Sequence, residues 1–272
     1  MAFTPHVELV SQANPTRWML VLHGVFGSGA NWRLFCKKLV QQPIDWGFAL
    51  VDLRGHNRSL GAARPHRVHT AAADLLNVTL PGPVAGVMGH SLGGKIALAY
   101  ASQRRGDLEQ VWILDSRPGT RDDTSEVLPP KVLAMLRALP PRFADRQRFV
   151  QAVVEAGYAK PIAMWLAMNV RRESDGSYQL ALELDLIAEL LDDYFTCDLW
   201  PELEADVAGR QLHAVVAAQS DVLSSSDRDR MRSAATQLPQ VHCHVIEDAG
   251  HWVHVDAAQQ VQELLVSHLL PT

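Results

Sequence analysis

Apolar residues along this chain gather into short, almost unbroken runs, and the stretches between them carry apolar positions at helical spacing. The runs are Trp18–Leu22, Phe48–Val51, Val84–Met88, Gln110–Leu114 and Leu212–Ala217. Each has the length of a strand and none alternates apolar with polar residues, the pattern of strands covered on both faces in a mainly parallel sheet. Two weaker patterns predict an edge strand over His6–Val10 and a last strand over Val241–Glu247. Trp32, Phe35, Cys36, Leu39 and Val40 recur every three or four positions and predict a helix with one buried face. Further helices are predicted over Thr70–Val78, after Gly93 through Ile96, Ala97, Ala99 and Tyr100, and over Asp227–Gln237. A closing helix turns Val261, Leu264 and Leu265 inward. Strands alternating with helices in this way form right-handed βαβ units, with reactive groups collected at the strands' C-terminal ends.

From about Thr120 to Asp206 the texture changes. Strand-like runs vanish, and three amphipathic helical patterns appear: Val132 to Leu139, Phe149 to Ala156, and Leu186 to Tyr194. Pro129-Pro130, Pro140-Pro141, Lys160-Pro161 and Asp175-Gly176 separate them. The division predicted is a core domain made of 1–119 and 207–272, interrupted by a helical insertion over 120–206. Met135, Met164, Trp165 and Met168 in the insertion either line a pocket or pack the helices on the core, since methionine fills gaps in any helical layer.

Composition narrows the class without changing this picture. The 272 residues are 47% hydrophobic and 20% charged, which suits one α/β domain with an insertion. A net charge of -5, with both signs mixed along the chain, favours neither nucleic acid nor an anionic membrane. The longest apolar runs fall far short of the roughly 20 residues that span a bilayer. Three widely spaced cysteines, Cys36, Cys197 and Cys243, and the lack of a charged-then-apolar leader point to a reducing cytoplasm. The expected form is a monomer or small homo-oligomer.

The run Val84–Met88 stops at Gly89-His90-Ser91-Leu92-Gly93, and a helical pattern follows at once. A serine at such a strand-to-helix corner sits in a strained backbone conformation, and glycines on either side let neighbouring elements close in. This Gly-x-Ser-x-Gly corner resembles the nucleophile elbow of the α/β-hydrolase family. The resemblance extends along most of the chain and implies a mostly parallel sheet with helices on both faces, the insertion acting as a cap over the pocket.

It implies site residues as well. His23-Gly24-Val25-Phe26-Gly27-Ser28, after the first buried strand, looks like the family's oxyanion loop. Acyl transfer puts negative charge on the former carbonyl oxygen, and two backbone N–H groups must already point at it. The resemblance assigns these to Leu92 and Val25, with a neighbour of Val25 open as the alternative in a glycine-rich loop. Ala249-Gly250-His251-Trp252 resembles the loop of the catalytic histidine, so His251 is the expected base. His56 and His254 are the competitors. Asp52-Leu53-Arg54-Gly55-His56-Asn57 follows another family pattern, departing from it at Asn57, where a glycine is usual; this stretch reads as loop architecture.

For the acid that orients the histidine, two aspartates end strands. Asp221 follows the strand where most of the family carries its acid, but one residue late, with Ser220 at the acid's place. Asp115 follows the strand next after the elbow unit, and the pair Asp115 and Ser220 resembles a branch of small-acyl esterases in which the serine supports the acid. Asp115 is the expected acid and Asp221 the alternative. His242 and His244 alternate onto one face of a strand, but two ligands without a third predict no metal site. No cofactor is expected. The resemblance implies a serine hydrolase of small to medium carboxylic esters or thioesters. A carbon–carbon hydrolase, a lactonase or a lyase on the same triad stays open, as does a ligand-binding member without turnover.

Overall fold

The computed structural model describes residues 2–104, 106–125 and 127–270. Seven strands form one sheet: β1 (Val7–Val10), β2 (Arg17–Leu22), β3 (Trp46–Val51), β4 (Val84–His90), β5 (Gln110–Leu114), β8 (Gln211–Ala217) and β9 (Val241–Ile246), in the order β1-β3-β2-β4-β5-β8-β9. β1 pairs antiparallel with β3 at the edge and every other pairing is parallel. β2, β3, β4, β5 and β8 are buried almost throughout, as their unbroken apolar runs require.

Helices cover both faces. α1 (Arg33–Leu39) and α11 (Ala258–Leu269) pack on the face carrying Met19, Phe48, Met88 and Trp112. α2 (Val68–Leu75), α3 (Leu92–Gln103) and α9 (Ser225–Gln237) pack on the opposite face, over Leu20, Val87 and Ile113. A short extra helix, α10 (Val253–Asp256), precedes α11.

The insertion between β5 and β8 carries α4 (Leu128–Ala138), α5 (Arg146–Glu155), α6 (Lys160–Leu166), α7 (Leu184–Thr196) and the single turn α8 (Trp200–Leu203). The expectation that strands vanish there is corrected: β6 (Val170–Arg172) and β7 (Tyr178–Leu180) form an antiparallel hairpin. Three residues per strand carry too little alternation to register as a pattern. The hairpin's turn holds Asp175-Gly176, with Gly176 at φ +86°, a dipeptide that favours such turns.

Lys95 on α3 fastens the insertion from below. Its fully buried ammonium donates to the carbonyls of Gly119 and Tyr194, each at 2.7 Å, and of Cys197 at 3.0 Å, with the Tyr194 ring 4.4 Å away. Both ends of the insertion therefore hang on one cation, and burial pushes its pKa down to about 8. Among the described residues no helix is long and apolar enough to cross a membrane, and the three cysteines are free.

Candidate active site

β4 ends at His90 and α3 begins at Leu92, so Ser91 alone turns the chain from strand to helix. It does so at φ +54° and ψ -119°, a conformation costing a residue with a Cβ roughly 1–3 kcal/mol. The surroundings hold it there. A Cβ at Gly89 would lie 2.1 Å from the Gly93 carbonyl oxygen, and one at Gly93 would lie 2.6 Å from that of His23. The Ser91 N–H donates to the Leu114 carbonyl at 3.0 Å, and Ser116 Oγ donates to the Ser91 carbonyl at 2.6 Å.

At the end of the neighbouring strand β5, Asp115 is fully buried. His251 Nδ1 donates to its Oδ2 at 2.7 Å. Ser220 Oγ donates to the same oxygen at 2.5 Å, and the Ala217 N–H reaches Oδ1 at 3.2 Å. With its Nδ1 proton engaged, His251 keeps the lone pair of Nε2 free to take up another proton. Asp221 is exposed one residue after Ser220, and its contact is made by its backbone carbonyl, which accepts from Arg121 at 3.2 Å. The carboxylate that meets His251 is thus that of Asp115.

His90 ties the histidine loop to the elbow. Its ring lies 4.5 Å from that of His251, and its Nε2 donates to the His251 carbonyl at 2.7 Å. Burial drives its pKa well below the usual imidazole value, so it stays neutral and keeps one tautomer. Its place inside the elbow motif is visible in the sequence, but nothing there says that it reaches the histidine loop.

The loop after β2 runs against the serine, where a Cβ on Gly24 would lie 3.4 Å from Ser91 Cβ. The Phe26 N–H donates to His56 Nε2 at 3.2 Å, and His56 Nδ1 donates to the Arg54 carbonyl at 2.9 Å. Both nitrogens of His56 therefore hold this loop in shape, and burial pushes its pKa down to about 3, which unfits it as a base. His254 stacks on Trp32 at 4.2 Å, and burial likewise brings it to about 3. Among the described residues the N–H groups of Val25 and Leu92 meet no protein acceptor. Leu92 opens α3, where N–H groups are unpaired and the helix dipole is positive.

The insertion overlooks this loop. Asn169 Nδ2 donates to the Phe26 carbonyl at 2.6 Å. The Trp165 ring lies 6.3 Å from Phe26 and 5.8 Å from Trp252, which follows His251. Met168 Sδ accepts from Asn31 at 3.1 Å, Met164 is exposed, and Met135 is buried in the core cluster. Asn57, at φ +54°, adopts the left-handed backbone where the family usually has glycine. Its Oδ1 accepts from Arg171 of β6 at 2.6 Å, so the departure supplies another tie to the insertion. His242 and His244 lie on β9, where His213 and His268 join them.

A strained serine between a parallel strand and a helix, together with a histidine whose Nδ1 rests on a buried aspartate, defines an α/β hydrolase in architecture. Residues 19–264 match the model of the alpha/beta hydrolase family, and the chain belongs to that family. It is 29% identical to mouse (Mus musculus) sn-1-specific diacylglycerol lipase ABHD11 over 92% of this chain and 80% of that protein. It is 24% identical to esterase YbfF of Escherichia coli over 92% of both chains. Among solved structures, a marine microorganism esterase superposes with a TM-score of 0.80 at 21% identity, covering 98% of this chain and 100% of that one.

Proposed function

We propose that this chain is a serine hydrolase of carboxylic esters or thioesters with small to medium acyl groups. The observation that carries the reading is the 2.7 Å contact of His251 Nδ1 with Asp115 Oδ2, an oxygen that Ser220 also holds. In this reading Ser91 Oγ attacks the carbonyl carbon while His251 Nε2 takes its proton, and Asp115 fixes the tautomer and stabilises the imidazolium. The Val25 and Leu92 N–H groups receive the oxyanion. His251 returns the proton to the departing alcohol or thiol, and water repeats the sequence on the acyl-enzyme, releasing the acid.

The segment 120–206 serves as a cap, with Trp165 and Met168 over the acyl pocket. The names of the mouse and Escherichia coli relatives favour an ester over carbon–carbon or lactone chemistry.

Hydrolysis of p-nitrophenyl esters from acetyl to long acyl tests this. Ser91→Ala is expected to abolish turnover, and Asp115→Asn to cost about 10³–10⁴-fold in kcat. Asp221→Asn is expected to stay within about threefold, as an exposed side chain outside the site. A folded protein inert to the whole series overturns the ester reading, and equal losses in the two aspartate variants overturn the assignment of Asp115.

A further inference from the structure

Towards the N-terminal ends of β5, β8 and β9, a second group of histidines converges on the sheet face that α11 covers. Residue His213 on β8 pairs with Trp112 on β5 and with His242 on β9, and two residues further on Val215 pairs with His244. The fourth member, His268, belongs to the last turn of α11. Ala217, whose N–H reaches Asp115, is four residues along β8 from His213, about 13 Å at 3.3 Å per residue.

The His213 ring is fully buried, stacked 3.8 Å from Trp112 on one side and 4.6 Å from His242 on another, with His268 at 4.4 Å. Its Nδ1 lies 3.1 Å from His244 Nε2, whereas its Nε2 is buried with no hydrogen-bond partner. A buried ring nitrogen left without a partner is costly by itself.

One ring nitrogen from each of His213, His244 and His268 lies within 4.8 Å of the other two. A tetrahedral zinc-class ion, with bonds of about 2.0–2.1 Å, sets its nitrogen ligands roughly 3.4 Å apart. His213 is buried while His244 and His268 are half-buried, so closing that difference falls to the latter two rings. His242 is occupied by Gln211, its Nε2 2.7 Å from Oε1, and stands outside the set.

We propose that His213, His244 and His268 form a binding site for a divalent transition-metal ion of the zinc class, three imidazoles filling three positions and water the fourth. Imidazole is a borderline ligand suited to such ions and unsuited to magnesium or calcium. The ion would clip α11 to β8 and β9, a structural role separate from ester hydrolysis at the opposite ends of the strands.

The test uses untagged full-length protein freed of metal by chelator dialysis. Zn²⁺ titration by calorimetry is expected to give one ion per chain with a Kd in the micromolar range or below, and Co²⁺ to give the visible d–d bands of a nitrogen-ligated, low-coordinate site. Zn²⁺ at a hundredfold excess over Kd is expected to raise Tm by about 5 °C or more. His268→Ala and His244→Gln alter half-buried rings and are expected to keep hydrolysis at the level of the parent, reporting an intact fold, while weakening Zn²⁺ binding at least 100-fold. His251→Ala, which removes an imidazole from the other site, is expected to leave binding as it was. No binding tighter than millimolar, or stoichiometric binding that survives both cluster variants, overturns the proposal.

Discussion

Two residues at adjacent strand ends carry backbone strain, Ser91 at φ +54° and Asp115 at φ +42°. Neither is a glycine, so each conformation persists only because the contacts around it outweigh its cost. For Asp115 those contacts are its own N–H donating to Val215 at 2.8 Å and the donors Ser220, Ala217 and His251 on its carboxylate. Ser220 shares Oδ2 with His251, so its hydroxyl both aims the carboxylate and withdraws charge from it. Ser220→Ala is expected to lower kcat about tenfold at unchanged KM, the cost of one charge-assisted hydrogen bond. With that donor gone, more negative charge faces His251, the imidazolium is favoured, and the ascending limb of the pH–rate profile is expected to move to higher pH. Packing loss alone would lower the rate without moving the limb. A pH profile that superposes on that of the parent protein overturns the proposed role of Ser220.

At the level of elements, the insertion shares one apolar cluster with the sheet and is tied to the core by polar contacts as well. Lys95 reaches both of its ends, Asn57 holds β6 through Arg171, and Asn169 reaches down to Phe26. Lys95→Met keeps the length and removes the donors, leaving three buried carbonyls unpaired. It is expected to cost about 3 kcal/mol and lower Tm by roughly 6–12 °C in a thermal melt. A melt within 2 °C or so of the parent would show that water replaces the ammonium. The sheet strands are legible in the sequence because burial on both faces leaves an unbroken apolar run, and α4, α5 and α7 because one apolar stripe repeats at helical spacing. β6, β7 and α10 are too short to establish a period. The serine and the histidine announce themselves through flanking glycines and loop context. Which aspartate meets His251 is not decided by the apolar pattern, since Asp115 and Asp221 both follow strands; the resemblance, through Ser220, points to Asp115, the one found against His251. The answer lies in β5 and β8 being neighbours, which brings Ser220 onto the Asp115 carboxylate. His213 sits inside an apolar run and His268 on a helix far along the chain, so the imidazoles that join His244 are brought to it only by tertiary structure.

Taken as a whole, the molecule keeps an unusual set of neutral histidines around its reactive end. His23 is buried, with its Nδ1 donating to Gly24 at 2.7 Å and its Nε2 accepting from Leu53 at 3.0 Å, and burial pushes its pKa down to about 4. Burial also takes His56 and His254 to about 3 and His90 well below its ordinary value. In the unfolded chain each of these imidazoles takes up a proton near pH 6.5. Between about pH 6.5 and 4 the unfolded state therefore binds more protons than the folded one, and stability falls as pH falls. The contribution is fully present above about pH 7. Each such group removes up to about 1.4 kcal/mol per pH unit as pH falls below 6.5 toward its folded value. Thermal melts are expected to give a flat Tm from about pH 7 to 8.5 and a steep fall below about pH 6. Loss of near-ultraviolet circular dichroism should accompany the loss of hydrolysis through that range, since His56 Nε2 accepts the Phe26 N–H, and so holds the loop after β2, only while neutral. A Tm that stays level down to pH 4.5 would mean that these histidines accept protons inside the fold, and that the Phe26–His56 hydrogen bond is lost without loss of structure.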